Sequence, residues 1–432
     1  MGRTLHAIRI PVFAAILLLA MLATLELGAT AAFHWFEDWP SRESIQRSLD
    51  EVNATEASTE KPDDRRWSNV LHPDLGYVRN PLRTPRRVNR RLVDASINEF
   101  GFFGASPLSA KGDDVARVVI TGGSVAEELF LYAGETLARE LEAAGAFDGR
   151  KVEVLSLSMA GFKQPQQLIA VSYLLLLGAE FDAVVNIDGF NEVVLPFTDN
   201  APLNVAPSYP FRWNALAADS NDAGISLLVA RITESSTELE AWRGFFSRFP
   251  LRHSAFALAS WSLLRTGLEG EANRLEAELR DQLGGSLKNR PSMRGPPLRF
   301  ESNEALFDDS VEVWKRASIQ LWHLCRSHDI AYLQLLQPNQ YVRGSKPFTP
   351  SERKVAILPI RNPTRIAAEA GYARLIAAGG GLTEMGLPFF DITDIFERVV
   401  EPIYRDSCCH YRDLGYQMIV RRIARELGPA PP

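Results

Sequence analysis

Short apolar runs that end at glycines alternate with longer amphipathic stretches through two portions of this chain. Val118-Val119-Ile120 is a β-branched run that stops at Gly122-Gly123. Ser124 follows, and then a helix-compatible segment with Leu137 and Leu141 on one face. Gly145 and Gly149 punctuate the chain before Val152–Leu157, which alternates like a strand. Pro165–Leu177 is a strongly apolar helix candidate, and Phe181–Ile187 is the next strand, ending in Asp188-Gly189-Phe190-Asn191-Glu192. Strand, helix, strand, helix, strand at short intervals predicts parallel β-α-β units and an α/β domain.

From about Asn200 to Arg299 the rhythm breaks. Leu227–Phe249 and His253–Leu283 read as amphipathic helices with Arg and Glu on their polar faces. They form an inserted segment, either a lid that shapes substrate choice or an embellishment without a part in recognition. The alternation resumes near Ala305. Phe307, Val311, Trp314, Leu321 and Cys325 share a helical face, and Ile330–Leu336 is a buried strand. A helix over Thr364–Ala378 and a last strand over Pro388–Ile392 follow. The expected organisation is a membrane or signal segment over 1–34, a linker and lead-in over 35–110, an α/β domain in two parts (111–200 and 301–432), and the helical insertion between them (201–300).

The amino terminus follows a different pattern. Arg3 and Arg9 precede an apolar stretch from Ile10 to Phe33, interrupted by Glu26, with Glu37 and Asp38 beyond it. At about 1.5 Å per residue that stretch can span a bilayer, and the flanking charges predict the N-terminus inside and the rest outside. The aromatic exit His34-Trp35-Phe36 favours an uncleaved anchor. The small residues at Ala29-Thr30-Ala31 keep a cleaved signal peptide open. Ser41–Arg66 reads as a polar linker. After it, six arginines between Arg79 and Arg91 form either a solvated loop or a surface for anionic lipid or an acidic polymer.

Composition narrows the partners. With 46% apolar and 23% charged residues the chain is of globular type, and its formal net charge of −6 gives no electrostatic support for a nucleic-acid partner. Three cysteines, Cys325, Cys408 and Cys409, are too few for a disulfide scaffold and lack metal-site spacing. They read as buried thiols, with a bond from Cys325 to one of the other two left open.

The chemistry gathers at strand ends. The three strands of the first portion end at Ser124, Gly161 and Asn191, and in an open parallel sheet the carboxyl ends of the strands form the ligand crevice. Ser124 alone is ambiguous, either a helix N-cap or a nucleophile beside free N–H groups. A nucleophilic serine needs a proton acceptor, usually an oriented imidazole. Of the seven histidines, His6 and His34 belong to the membrane segment, His72 to the lead-in and His253 to the insertion. His323 and His328 lie on a helix committed to the core. His410 remains, between the last strand and an amphipathic C-terminal helix, with Asp406 four residues before it.

With these residues in hand, the chain resembles the SGNH (GDSL-type) hydrolases. The nucleophile block matches Gly122-Gly123-Ser124, the glycine block Gly161, the asparagine block Gly189-Phe190-Asn191-Glu192 and the acid–histidine block Asp406 to His410. The resemblance covers roughly 71–200 and 301–432 and leaves the insertion unmatched. It implies a three-layer α/β/α sandwich with a flavodoxin-like parallel sheet. It also implies Ser124 as nucleophile, with its own N–H, the Gly161 N–H and the Asn191 side chain as oxyanion hole. His410 is then the base, oriented by Asp406, and neither cofactor nor metal is required.

The chain departs from the family pattern at three positions. Gly123 stands where an aspartate is usual, Glu192 replaces the aspartate after the asparagine, and Ser407 occupies the usual place of the acid. Asp391 and Asp413 are therefore alternatives to Asp406. The expected function is an extracytoplasmic serine esterase acting on an ester, such as an O-acyl group of an envelope glycan or a lipid. An acyltransferase with a sugar hydroxyl as acceptor and a non-catalytic scaffold are the alternatives.

Overall fold

Strands that are apolar on both faces need cover on both, which is the condition of a parallel sheet flanked by helices. In the computed structural model, the structure describes residues 20–35, 41–50, 69–82, 87–88, 91–92, 95–213, 223–286, 295–296 and 300–428. Five strands form one sheet: β1 (Val115–Gly122), β2 (Lys151–Ser158), β3 (Ala183–Asp188), β4 (Ala331–Leu336) and β5 (Phe389–Asp391). All pairings are parallel and the spatial order is β2-β1-β3-β4-β5. Every residue of β3, and every residue of β1 after Val115, is buried.

Helices fill the connections: α1 (Ser124–Ala143), α2 (Gln166–Leu176), α3 (Phe190–Leu195), α4 (Asn303–Ser327), α5 (Pro350–Ala356), α6 (Pro363–Glu384) and α7 (Asp413–Leu427). They flank the sheet in two packed groups, α1 with α7, and α4 with α2, α3 and α6. The expected face of α4 is the buried one. Its Trp314 is fully buried and meets Phe389 of β5 edge-on at 5.8 Å, a burial that stabilises by roughly 2–3 kcal/mol. Ser302 caps α4 by accepting the Ala305 N–H.

The chain divides into two compact units. The unit just described comprises Trp67–Pro85, Val93–Asp222 and Gln282–Pro432. It also holds a lead-in hairpin, Asn69–His72 paired antiparallel with Gly76–Arg79.

The other unit, Met1–Arg66, Arg86–Leu92 and Ala223–Asp281, is mainly helical in its described part and also holds a short antiparallel pair, Arg87–Val88 with Arg91–Leu92. Residues 20–35 and Arg42–Asp50 are helices, and so are Ala223–Phe246 and Ala255–Ser286, the last running past the unit's end. Ile45, Leu49, Phe246, Leu258 and Trp261 form its apolar cluster. Glu26 accepts hydrogen bonds from the Ser254 hydroxyl (2.6 Å) and from the backbone N–H groups of Ala255 (2.6 Å) and Phe256 (3.2 Å). A carboxylate there satisfies the free donors at the start of the Ala255–Ser286 helix.

One expectation changes here. The polar linker over 41–66 is a helix at Arg42–Asp50, because Ile45 and Leu49, one turn apart, bury in that cluster; one such pair is too short a period to read from sequence. Residues 51–66 lie outside the described residues. No helix among the described residues is long and apolar enough to cross a membrane. The expected span at 10–33 falls in part on residues 1–19, which lie outside the described residues.

Candidate active site

Strand register puts the chemistry-bearing turns on one edge. Gly122 at the end of β1 stands opposite Ser158 of β2 and Ile187 of β3, and Leu336 of β4 stands opposite both Asp188 and Asp391. Gly122 adopts φ +147°, and a Cβ there would lie 2.1 Å from the Ile187 carbonyl oxygen. A Cβ on Gly123 would lie 2.3 Å from Nδ2 of Asn191. The turn therefore needs glycine at 122, while at 123, where φ is −85°, a side chain would have to displace the Asn191 amide.

The N-cap of α1 is Gly123, which has no side chain with which to cap the helix. Ser124 is the first helical residue, and its hydroxyl lies 2.9 Å from Nε2 of His410. The N-cap alternative for Ser124 thus gives way to a side-chain contact. Nδ1 of the same ring lies 2.6 Å from Asp406 Oδ2. Asp406 Oδ1 accepts the backbone N–H groups of Cys408 (3.0 Å), Cys409 (3.2 Å) and His410 (3.4 Å). One carboxylate thus shapes the turn with one oxygen and holds the imidazole with the other, which is why a four-residue spacing works here.

These contacts set the charges. Burial raises the Asp406 carboxyl, but the hydrogen bond and charge of His410 and the backbone donors outweigh it and hold it down at about 2. Burial lowers His410, yet the Asp406 bond and the nearby charges of Glu128, Cys408 and Asp406 push it up to about 9. These contacts favour the protonated ring.

The loop after β2 carries Gly161 at φ +84°. The Tyr77 hydroxyl, from the lead-in hairpin, donates to the Ala160 carbonyl at 2.9 Å, and the Ala160 N–H donates to Glu127. In a trans peptide, C=O and N–H point opposite ways, so anchoring the Ala160 carbonyl aims the Gly161 N–H. Glu127 is fully buried. Burial raises its carboxyl, and Arg79 opposes this with contacts of 2.6–3.0 Å. Arg79, one of the six arginines read in sequence as a solvated loop or an anion-binding surface, is an internal ion-pair partner that also sits 4.7 Å over the Phe103 ring.

Asn191, on α3, donates from Nδ2 to the Phe162 carbonyl at 2.8 Å, and an amide has a second N–H to give. Glu192 bridges the two loops. It accepts the N–H of Gly189 (2.7 Å), the N–H of Gln164 (3.2 Å) and the side-chain amide of Gln167 (3.1 Å). A shorter aspartate would forgo part of that reach.

Sequence reasoning missed Glu128. It is fully buried one turn after Ser124, with Oε1 3.9 Å from His410 Nε2 and 2.5 Å from the Arg405 guanidinium, and Oε2 accepting from the Tyr416 hydroxyl at 2.6 Å. The available signal was an acid pair, Glu127-Glu128, inside the apolar run from Val125 to Leu131, where acids do not stay buried without partners.

The alternative acids lie elsewhere. Asp391 is exposed and accepts the Thr393 N–H at 2.9 Å, and Asp413 is an exposed residue in the first turn of α7. Cys325, Cys408 and Cys409 are free thiols, with Cys325 and Cys409 buried and the sulfurs of Cys408 and Cys409 3.0 Å apart. Among the described residues, Cys408, Cys409 and His410 bring possible metal-ligand atoms within 4.8 Å of one another. The His410 nitrogens are engaged by Asp406 and Ser124, so a cation would compete with both contacts.

No protein-family model matches the chain, and no curated protein matches it in sequence.

Proposed function

We propose that this chain is a serine esterase of the SGNH (GDSL-type) kind, with the sheet and its two helix groups forming the three-layer α/β/α sandwich of that family. The observation that carries the reading is the continuous chain from Asp406 through His410 to Ser124, with contacts of 2.6 and 2.9 Å. The strand order β2-β1-β3-β4-β5 supports the flavodoxin-like fold and sets the β1/β3 switch point beside Ser124.

In this mechanism neutral His410 takes the Ser124 proton at Nε2 as Oγ attacks the ester carbonyl. The N–H groups of Ser124 and Gly161 and the free N–H of Asn191 hold the oxyanion. His410 returns its proton to the departing alcohol, and water activated at Nε2 then releases the acid from the acyl-enzyme. Asp406 keeps Nδ1 protonated and Nε2 turned to serine. The substrate class is an ester outside the membrane, such as an O-acylated envelope glycan or a lipid, with the N-terminal segment as anchor or cleaved signal. The apolar stretch and its flanking charges support that placement.

Labelling with a fluorophosphonate probe is the decisive test. Wild type labels at Ser124 and hydrolyses a short acyl ester, and Ser124→Ala does neither. Ester hydrolysis persisting in Ser124→Ala would remove the mechanism.

A further inference from the structure

Glu26 interrupts the apolar amino-terminal stretch, and its bonds to the Ser254–Phe256 turn fix where that stretch leaves the helical unit. Glu26, Ala29, Thr30 and Phe33 share one helical face and are partly buried, and Phe33 packs on the cluster that holds Leu258 and Trp261. The helix over 20–35 thus follows the Ala255–Ser286 helix from its capped start inward. Ala20 to Leu25 lie on the other side of that start, and all six are exposed. Thr24, the polar residue among them, donates its hydroxyl to the Ala20 carbonyl at 2.9 Å. The projecting end is therefore apolar all round, which suits lipid better than water.

The apolar sequence before Glu26 is too short to cross a bilayer by itself. A helix over Ile10–Leu25 reaches about 24 Å at about 1.5 Å per residue, against a hydrocarbon core roughly 30 Å thick. With Arg9 at the inner boundary, the outer boundary falls about four residues past Leu25. That is the level of Leu27 and of the turn bonded to Glu26.

The side chains at that level match a membrane boundary. Phe249 is 83% exposed, Leu27 71% and Phe256 40%. Arg248 and His253 are exposed on the same turn, the His253 ring 6.1 Å from that of Phe249. The Glu26 carboxylate is met by a hydroxyl and two backbone N–H groups, with Arg42 acting on it from the position where it donates to the His253 carbonyl. Apolar and aromatic tips beside cations, around an apolar helix that leaves the protein, are the composition of the interface between headgroups and acyl chains.

We propose that the Phe249–Phe256 turn docks on the bilayer that the chain's own amino-terminal helix enters, with Phe249, Phe256 and Leu27 at the boundary of headgroups and acyl chains. The docked turn makes good the shortfall in length, because its apolar side chains lie where lipid would otherwise meet polar surface. The proposal rests on the uncleaved anchor. The Glu26 contacts favour that form, since cleavage at Ala29-Thr30-Ala31 would take the capping carboxylate away from the Ala255–Ser286 helix.

The full chain reconstituted in phosphatidylcholine vesicles tests this. An environment-sensitive dye is attached at Phe249→Cys, Phe256→Cys or Glu276→Cys, each in a Cys408→Ser background whose other two thiols are buried. All three positions are exposed, and Glu276 lies about 30 Å beyond Phe256 along one helix. Lipid with a doxyl group high on its acyl chain is expected to quench the dye at 249 and 256 at least about threefold more than at 276, and aqueous iodide to show the reverse order. Iodide quenching at 249 as strong as at 276, in protein that resists alkaline carbonate extraction, overturns the docking alone. A dye at 249 shielded from both quenchers assigns the surface to a protein partner or a second copy, and overturns it too. Extraction of the chain by carbonate overturns the anchor and the docking with it. Fluorophosphonate labelling of Ser124 is unaffected by any of these results, so the esterase reading fails separately.

Discussion

Glu128 holds a carboxylate oxygen 3.9 Å from Nε2 of His410, the ring nitrogen that Asp406 does not touch. The imidazole therefore has an acid near each nitrogen, one hydrogen-bonded to Nδ1 and a buried one, held by Arg405 and Tyr416, near Nε2. Both favour the imidazolium. In the proposed mechanism the Nε2-side acid would stabilise the charge that forms as Ser124 gives up its proton, and together with Asp406 it pushes the ring up to about 9.

The first prediction concerns that resting charge. A base must be neutral to accept a proton, so kcat/KM for a short ester, and the rate of fluorophosphonate labelling, should rise with pH with a midpoint near pH 9 and level off above it. Glu128→Gln removes a nearby negative charge, so the rising limb should shift to lower pH. A limb that stays in place in this variant would show that Glu128 does not act on the ring.

The identity of the acid gives a second prediction. Asp406→Asn removes the partner that fixes the Nδ1 proton and should lower kcat on the order of 10²–10⁴-fold. Asp391→Asn and Asp413→Asn should stay near wild type, since neither carboxylate contacts His410. Steady-state kinetics on the three variants decide between them.

Stability should follow the same pair in two pH windows. Asp406 is held down from 3.8 to about 2, so its contribution is present above pH 3.8 and lost as pH falls through about 2. His410 is raised from 6.5 to about 9, so its contribution is present below pH 6.5 and lost as pH rises through about 9. Thermal unfolding of wild type and His410→Ala should differ most between these limits, and the two curves should converge above pH 9. A constant difference up to pH 10 would contradict the assignment.

Tyr77 acts at one remove. Tyr77→Phe frees the Ala160 carbonyl and loosens the peptide whose N–H belongs to Gly161, so kcat should fall about tenfold with KM nearly unchanged. Gly161→Ala meets both φ +84° and a Cβ 2.6 Å from the Tyr77 hydroxyl, and should destabilise by about 1–3 kcal/mol. Equal losses in kcat and stability for Tyr77→Phe would mark it as merely structural.

What sequence alone determined is local. The β-branched runs at Val118 and Val184, the helical face of Trp314 and the glycine turn before Ser124 follow from periods of two to four residues, which neighbouring side chains impose on any fold. The parallel sheet followed from their alternation, and with it the edge that carries Ser124, Gly161 and Asn191. What tertiary structure decided are contacts between residues far apart in the chain. Ser124 and His410 are 286 positions apart, Glu128 and Arg405 are 277, and Tyr77 and Ala160 are 83. Asp406 became distinguishable from Asp391 and Asp413 only through a turn whose backbone N–H groups point at one carboxylate. The burial of Glu127 and Glu128 depends on cations supplied by Arg79 and Arg405, from opposite ends of the α/β unit's sequence. No period records such pairings, because a buried charge is stabilised by whichever partner the fold delivers, at any distance along the chain.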